Sequence, residues 1–143
     1  METKEFTNEV VLEFDSKSEN ESLARTVVAA FCTGLDPTLE DLGDIKTAVS
    51  EAVTNSVLHG YGKKKGKIRL ECRLEGRCVY IKVVDYGVGI EDIEKAMEPM
   101  YTSRPEWERS GMGFAFMEAF MDSLEVESEP GVGTTVIMNK TLG

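Results

Sequence analysis

Two runs of alternating residues, 68–74 and 78–85, separated only by Glu75-Gly76-Arg77, constrain the fold of this chain more than any other stretch. In the second run Val79, Ile81 and Val83 alternate with Tyr80, Lys82 and Val84, the period of a strand that buries one face. A short connection containing glycine folds such runs back as an antiparallel hairpin. A sheet with one apolar face needs a cover, and helices must supply it.

The cover is legible upstream. Leu42, Ile45, Val49, Ala52 and Val53 recur at helical spacing. Asp36-Pro37 offers this helix an N-cap and a first-turn proline, and Gly60-Tyr61-Gly62 is its expected end. At roughly 100° per residue Glu51 and Asn55 lie about 40° apart, on a face turned about 140° from the apolar stripe. Before it, 10–14 reads as a first strand, and Ser18-Glu19-Asn20-Glu21 has capping-box spacing with Ser18 as N-cap. The helix it opens places Leu23, Val27, Ala30 and Phe31 on one stripe, with Arg25 off it as a candidate partner contact.

After the hairpin a short helix is expected over 90–97. Residues 98–110 follow with two prolines and no periodicity, a length of loop that is usually functional. Gly111-Met112-Gly113 then precedes a helix with Phe114, Met117, Phe120 and Met121 inward. A final hairpin, 124–128 and 134–140, turns around Glu129-Pro130-Gly131-Val132-Gly133. The order β-α-α-β-β-loop-α-β-β predicts an α/β two-layer sandwich: a mixed, mostly antiparallel sheet with helices on one face, one domain over 1–143.

The formal charge of −10 disfavours nucleic acid and anionic membrane as partners and leaves a basic protein partner open. Cys32, Cys72 and Cys78 form no C-x-x-C pair and are read as reduced thiols of a cytoplasmic protein, with Cys72 and Cys78 as strand neighbours. His59 at a helix end complements the dipole. Lys63-Lys64-Lys65 reads as a solvated turn.

Three Gly-x-Gly pairs remain: Gly87/Gly89, Gly111/Gly113 and Gly131/Gly133. None has the spacing and parallel context of a dinucleotide fold, and the Walker and protein-kinase signatures are missing. They do suit another kind of nucleotide pocket. Asp85, at a strand end, can accept from an exocyclic amine; Gly87 and Gly89 let backbone approach the base or ribose. Gly111 and Gly113, just before a helix N-terminus, suit phosphate. Asn55 can give Mg²⁺ an oxygen, and Glu51, one turn earlier, can take a proton from whatever attacks the terminal phosphate.

In this order the boxes resemble the GHKL superfamily of ATPases and kinases, over nearly the whole chain. Glu51 to Asn55 looks like its N-box, Asp85-x-Gly87-x-Gly89 and Gly111-x-Gly113 its glycine boxes, and Gly131-x-Gly133-Thr134-Thr135 the last box. Residues 18–22, 50–61 and 108–114 further resemble the anti-sigma F factor family. That resemblance implies a dimeric serine kinase using ATP and Mg²⁺, which binds a sporulation sigma factor and phosphorylates an anti-anti-sigma protein. It makes Glu51 the base and Asn55 the Mg²⁺ ligand, with Asp85 reading adenine assisted by Thr134 or Thr135. Arg109, on a lid over 99–111, would approach the phosphates or the acceptor, and Arg25 would meet the sigma factor. An anti-sigma kinase of a stress-response sigma factor, and a nucleotide-gated module without catalysis, share the same boxes.

Overall fold

The computed structural model describes residues 8–61, 66–90 and 113–143. Strand β1 (Asn8–Asp15) leads to helix α1 (Asn20–Cys32), a 3₁₀ turn (Thr33–Leu35) and the long helix α2 (Leu39–Asn55). Helix α2 runs on into a wider, π-helical turn, Ser56–Tyr61. Then come β2 (Lys67–Glu75), β3 (Cys78–Asp85), α3 (Gly113–Phe120), β4 (Ser123–Glu129) and β5 (Gly133–Thr141). The strands are ordered β1-β2-β3-β5-β4, with antiparallel neighbours throughout.

Alternation sets the two faces. Leu12, Leu70, Val83, Val136 and Val126 form one cross-strand row, and Val10, Cys72, Ile81, Met138 and Leu124 the next. Both rows face the helices. The opposite face of β1 and β2 carries Glu9, Lys67, Arg69, Glu71 and Arg73, linked by ion pairs such as Arg69–Glu71 at 3.1 Å and Lys67–Asp15 at 2.7 Å. Exposed pairs of this kind add little stability, but they keep that face wet and fix which way each strand turns.

Helix α2 lies between α1 and α3 and touches both. Ile45, Ala48, Val49, Ala52 and Val53 are fully buried, each large side chain giving roughly 1.5–3 kcal/mol. Phe114, Met117 and Met121 complete the layer from α3, while Phe120 stacks on Phe116 at 6.0 Å. Among the described residues no helix is long and apolar enough to cross a membrane.

Local expectations fail at four places, each for a physical reason. Helix α1 begins at Asn20 without a side-chain cap; Ser18 gives Glu21 N its backbone carbonyl at 3.2 Å, not its hydroxyl. Asp36 does not open α2, because it takes a left-handed conformation (φ 49°) that closes the 3₁₀ turn. Thr38 caps instead, its Oγ1 accepting from Asp41 N at 3.0 Å. The buried stripe of α1 is Ala24, Val28 and Cys32, with Leu23 44% exposed: small residues at i, i+4 and i+8 let α1 approach closely. Cys72 points into the core and hydrogen-bonds Cys32, whereas Cys78 is on the opposite face of the sheet. The expected helix over 90–97, the 99–111 lid and the lysine turn at 63–65 fall outside the described residues, apart from Ile90.

The two-face reading predicts a contrast. Ile81→Ala should cost about 2–5 kcal/mol in urea unfolding, whereas Val11→Ala, on the outer face, should stay within about 0.5 kcal/mol.

Candidate functional site

The C-terminal end of α2 and the far end of β3 meet through one widened turn. In a π-turn the hydrogen-bonded ring holds one residue more than in an α-turn. Here it follows directly on Asn55. Glu51 and Asn55 are half-buried on α2, one helical turn apart, while Ala52, Val53, Ser56 and Val57 face the interior. Ser56 starts the widened turn, is 1% exposed, and donates its hydroxyl to Asp85.

Asp85 ends β3 and is 2% exposed. Its Oδ1 accepts from Gly87 N at 3.0 Å, and the Thr134 N–H donates to the same carboxylate. Burial pushes its pKa above the ordinary carboxylate value, and the Gly87, Ser56 and Thr134 bonds oppose that without cancelling it. An ionised carboxylate has about four lone-pair positions; among the described residues these three donors leave one for a ligand's N–H.

The glycines act differently from the expectation. A Cβ on Gly87 would lie 2.1 Å from the Gly60 carbonyl oxygen, and one on Gly89 (φ +76°) 2.3 Å from that of Glu129. The space left by each missing side chain is filled by protein backbone, not kept open for a base or ribose. Val88 N bonds Gly60 O at 2.9 Å and Gly131 N bonds Val88 O at 2.7 Å, so three loops are sewn together around Asp85. Gly60 belongs to the same contact: a Cβ there would sit 2.9 Å from the Asp85 carboxylate.

Thr134 and Thr135 separate cleanly. Thr134 is the direct register partner of Asp85 and is 5% exposed; Thr135 pairs with Val84 and projects from the other face of the sheet. Thr135 is therefore not beside Asp85, because neighbouring strand residues point oppositely. Thr134 Oγ1 is 2.9 Å from Ser128 Oγ, which also accepts from Ile90 N at 2.7 Å and donates to Gly133 O at 3.0 Å.

Of the remaining candidates, Gly113 begins α3, which packs on α2. Gly111 and Arg109 fall outside the described residues. Arg25, on α1, is held by Glu21 at 3.6 Å and Ser22 Oγ at 3.3 Å, with a side chain 39% exposed. Among the described residues no three His, Cys, Asp or Glu side chains cluster to hold a metal. Sequence reasoning missed Ser56, Gly60 and Ser128. The hairpin register across from Thr134 is the signal that points to Ser128.

Residues 14–140 match the model of the histidine kinase-like ATPase domain. An anti-sigma F factor of Thermoanaerobacter sp. (strain X514) is 60% identical over 97% of both chains. The chain belongs to the anti-sigma F factor family. The Clostridium kluyveri anti-sigma F factor is 58% identical over 94% of this chain and 95% of its own. The fold extends further: a crystal structure of the RsbU and RsbW domains of a Mycobacterium tuberculosis protein superposes with a TM-score of 0.69. That likeness covers 95% of this chain and 33% of the other at 22% identity, and it concerns the fold alone.

Two outcomes follow from this geometry. Gly87→Ala forces the 87–89 loop off the Gly60 carbonyl and should cost about 1–3 kcal/mol, read as a lower thermal midpoint of the nucleotide-free protein. Because Asp85 has its pKa raised above 3.8, its stabilising contribution is complete below the unfolded value and is lost as pH rises through the folded one. The urea stability of wild type relative to Asp85→Asn should therefore improve as pH falls from about 7 towards about 4.

Proposed function

We infer that this chain is an ATP-dependent serine-protein kinase that also binds and inhibits a sporulation sigma factor. The observation that carries the reading is family membership joined to one arrangement: a carboxylate and an amide on α2, followed by Ser56, whose hydroxyl bonds a buried carboxylate on β3. The donor set fits an adenine nucleotide. Asp85 keeps a lone-pair position for an amine N–H, and Thr134 stands directly across the strand pair from it.

Bound MgATP supplies the transferable γ-phosphoryl group. Asp85, backed by Thr134, takes the exocyclic amine and so fixes the base at the end of β3. Asn55 would give its amide oxygen to Mg²⁺, a hard ion that takes few oxygens from the protein. Glu51, a turn earlier on α2, receives the proton from a serine hydroxyl presented by the anti-anti-sigma protein, as a general base must. Gly111 and Gly113 would supply the backbone N–H groups that a phosphate needs. Arg109 would serve the phosphates or the acceptor protein, in the first case by compensating charge on the phosphoryl oxygens. Arg25 belongs to the surface that takes the sigma factor; the active form is a homodimer working in the cytoplasm as one domain over 1–143.

Transfer of labelled γ-phosphate to the anti-anti-sigma protein tests the assignment. Glu51→Gln should lower the rate by about 10²–10⁴ while ATP affinity stays near wild type. Asn55→Ala should instead abolish the Mg²⁺ dependence of nucleotide binding. Transfer by Glu51→Gln at the wild-type rate would remove Glu51 from the role of base. Nucleotide binding without transfer by the wild type would leave a nucleotide-gated binding module.

A further inference from the structure

The core holds one pair of reactive groups that the site at the end of β3 does not use. Cys32 is the last residue of α1, and Cys72 sits on the inward face of β2. Both are fully buried, and they hydrogen-bond each other where the helix layer meets the sheet. A lone buried cysteine usually serves as a small apolar filler. Two that touch form a dithiol, which can be oxidised to a bond that neither could make alone. Cys78 is on the opposite face of the sheet and cannot compete for either partner.

The two thiols are not equivalent. The Cys72 S–H donates to the Cys32 sulfur, which lowers the pKa of Cys32 against the opposing effect of burial. The same bond, with burial added, pushes the Cys72 thiol up. Cys32 is therefore the better nucleophile, because the thiolate is the reactive form, and Cys72 keeps its proton. Their mobility differs in the same sense. Cys72 is fixed in the sheet, paired with Val10 of β1 on one side and Ile81 of β3 on the other. Cys32 ends a helix, and helix ends open more readily than paired strands. Gly34 follows two residues later with nothing within 4 Å of where a Cβ would stand, so the chain there has room to shift.

We propose that Cys32 and Cys72 form a redox-modifiable site: a peroxide converts them to a disulfide that pins the end of α1 to β2. The oxidant reaches the pair when the last turn of α1 opens. The Cys32 thiolate attacks one peroxide oxygen; the O–O bond breaks and the released hydroxide leaves as water, with Cys32 now a sulfenic acid. The Cys72 sulfur then displaces the hydroxyl from Cys32, which departs with the Cys72 proton as a second water. The two thiols lose two electrons and the peroxide gains them. The resulting ring encloses residues 33–71, and with them all of α2 and its Glu51 and Asn55. In a reducing compartment such a bond is transient, reopened by thiols. The proposal does not depend on the kinase reading.

The test treats the full chain carrying Cys78→Ser, which removes the third thiol, with hydrogen peroxide under native conditions, followed by alkylation of the remaining thiols. The product should be lighter by two hydrogens and unalkylated, and its digest should hold the Cys32 and Cys72 peptides joined. Its thermal midpoint should rise by about 5–10 °C, the size expected for closing a ring of this length, and dithiothreitol should reverse the change. Adding Cys72→Ser should stop the reaction at a Cys32 sulfenic acid that dimedone labels, whereas Cys32→Ser should leave Cys72 unlabelled. Two thiols still open to alkylation after peroxide treatment, or a disulfide that forms only in urea-unfolded chain, overturns the proposal. A joined pair that leaves the thermal midpoint unchanged overturns the pinning of α1.

Discussion

A carboxylate removed from water must be surrounded by donors, and the end of the sheet is built around that demand for Asp85. Ser56, Gly87 and Thr134 each bring a donor, from three different segments of the chain. None of the three segments could move away without leaving the charge uncompensated in a place where that is expensive. The glycine contacts follow from the same demand, because loops that must all reach one carboxylate have to touch one another. Backbone is thus packed on backbone at Gly60 and Gly87, where any side chain would intrude.

The sheet supplies the rigidity that this arrangement uses. Asp85 and Thr134 are register partners, so their separation is set by the ladder between β3 and β5 and not by loop conformation. Helix α2 is held in the same core by five fully buried residues, and Glu51 and Asn55 lie half-buried on it. The polar and apolar faces of one helix therefore do different jobs. One holds the helix in place, and the other carries the two groups proposed above as base and Mg²⁺ ligand.

Much of this was legible before any coordinates, for reasons that can be named. Strands β2 and β3 declare themselves because alternation is dictated by burial of one face, and the α2 stripe because helical periodicity is just as strict. Asp85, Asn55 and Glu51 stood out as polar groups at the ends or on the open faces of such elements. Helix starts were less readable: Thr38, Asp36 and Ser18 are all competent caps, and which one serves depends on where the preceding turn delivers the chain. Side-chain size does not mark the inward face of α1, because close helix contact there favours Ala24 and Cys32 over Leu23. Ser128 and Ser56 could not announce themselves, since a serine acquires meaning only from the partners that folding brings to it.

The widened turn after Asn55 has a consequence of a different kind. A π-turn is an α-helix carrying one surplus residue, and here the surplus lies between the residues on α2 and the glycine that meets Asp85. Deleting any one of residues 56–61 would let the segment relax into ordinary helix. Everything beyond the deletion would then turn by about 100° and shift by about 1.5 Å along the axis. The peptide at Gly60 would leave Gly87, although every remaining letter of the segment was unchanged. Selection on this stretch therefore falls on the number of residues as well as on their identity, and drift through substitution is open to it in a way that drift through insertion or deletion is not.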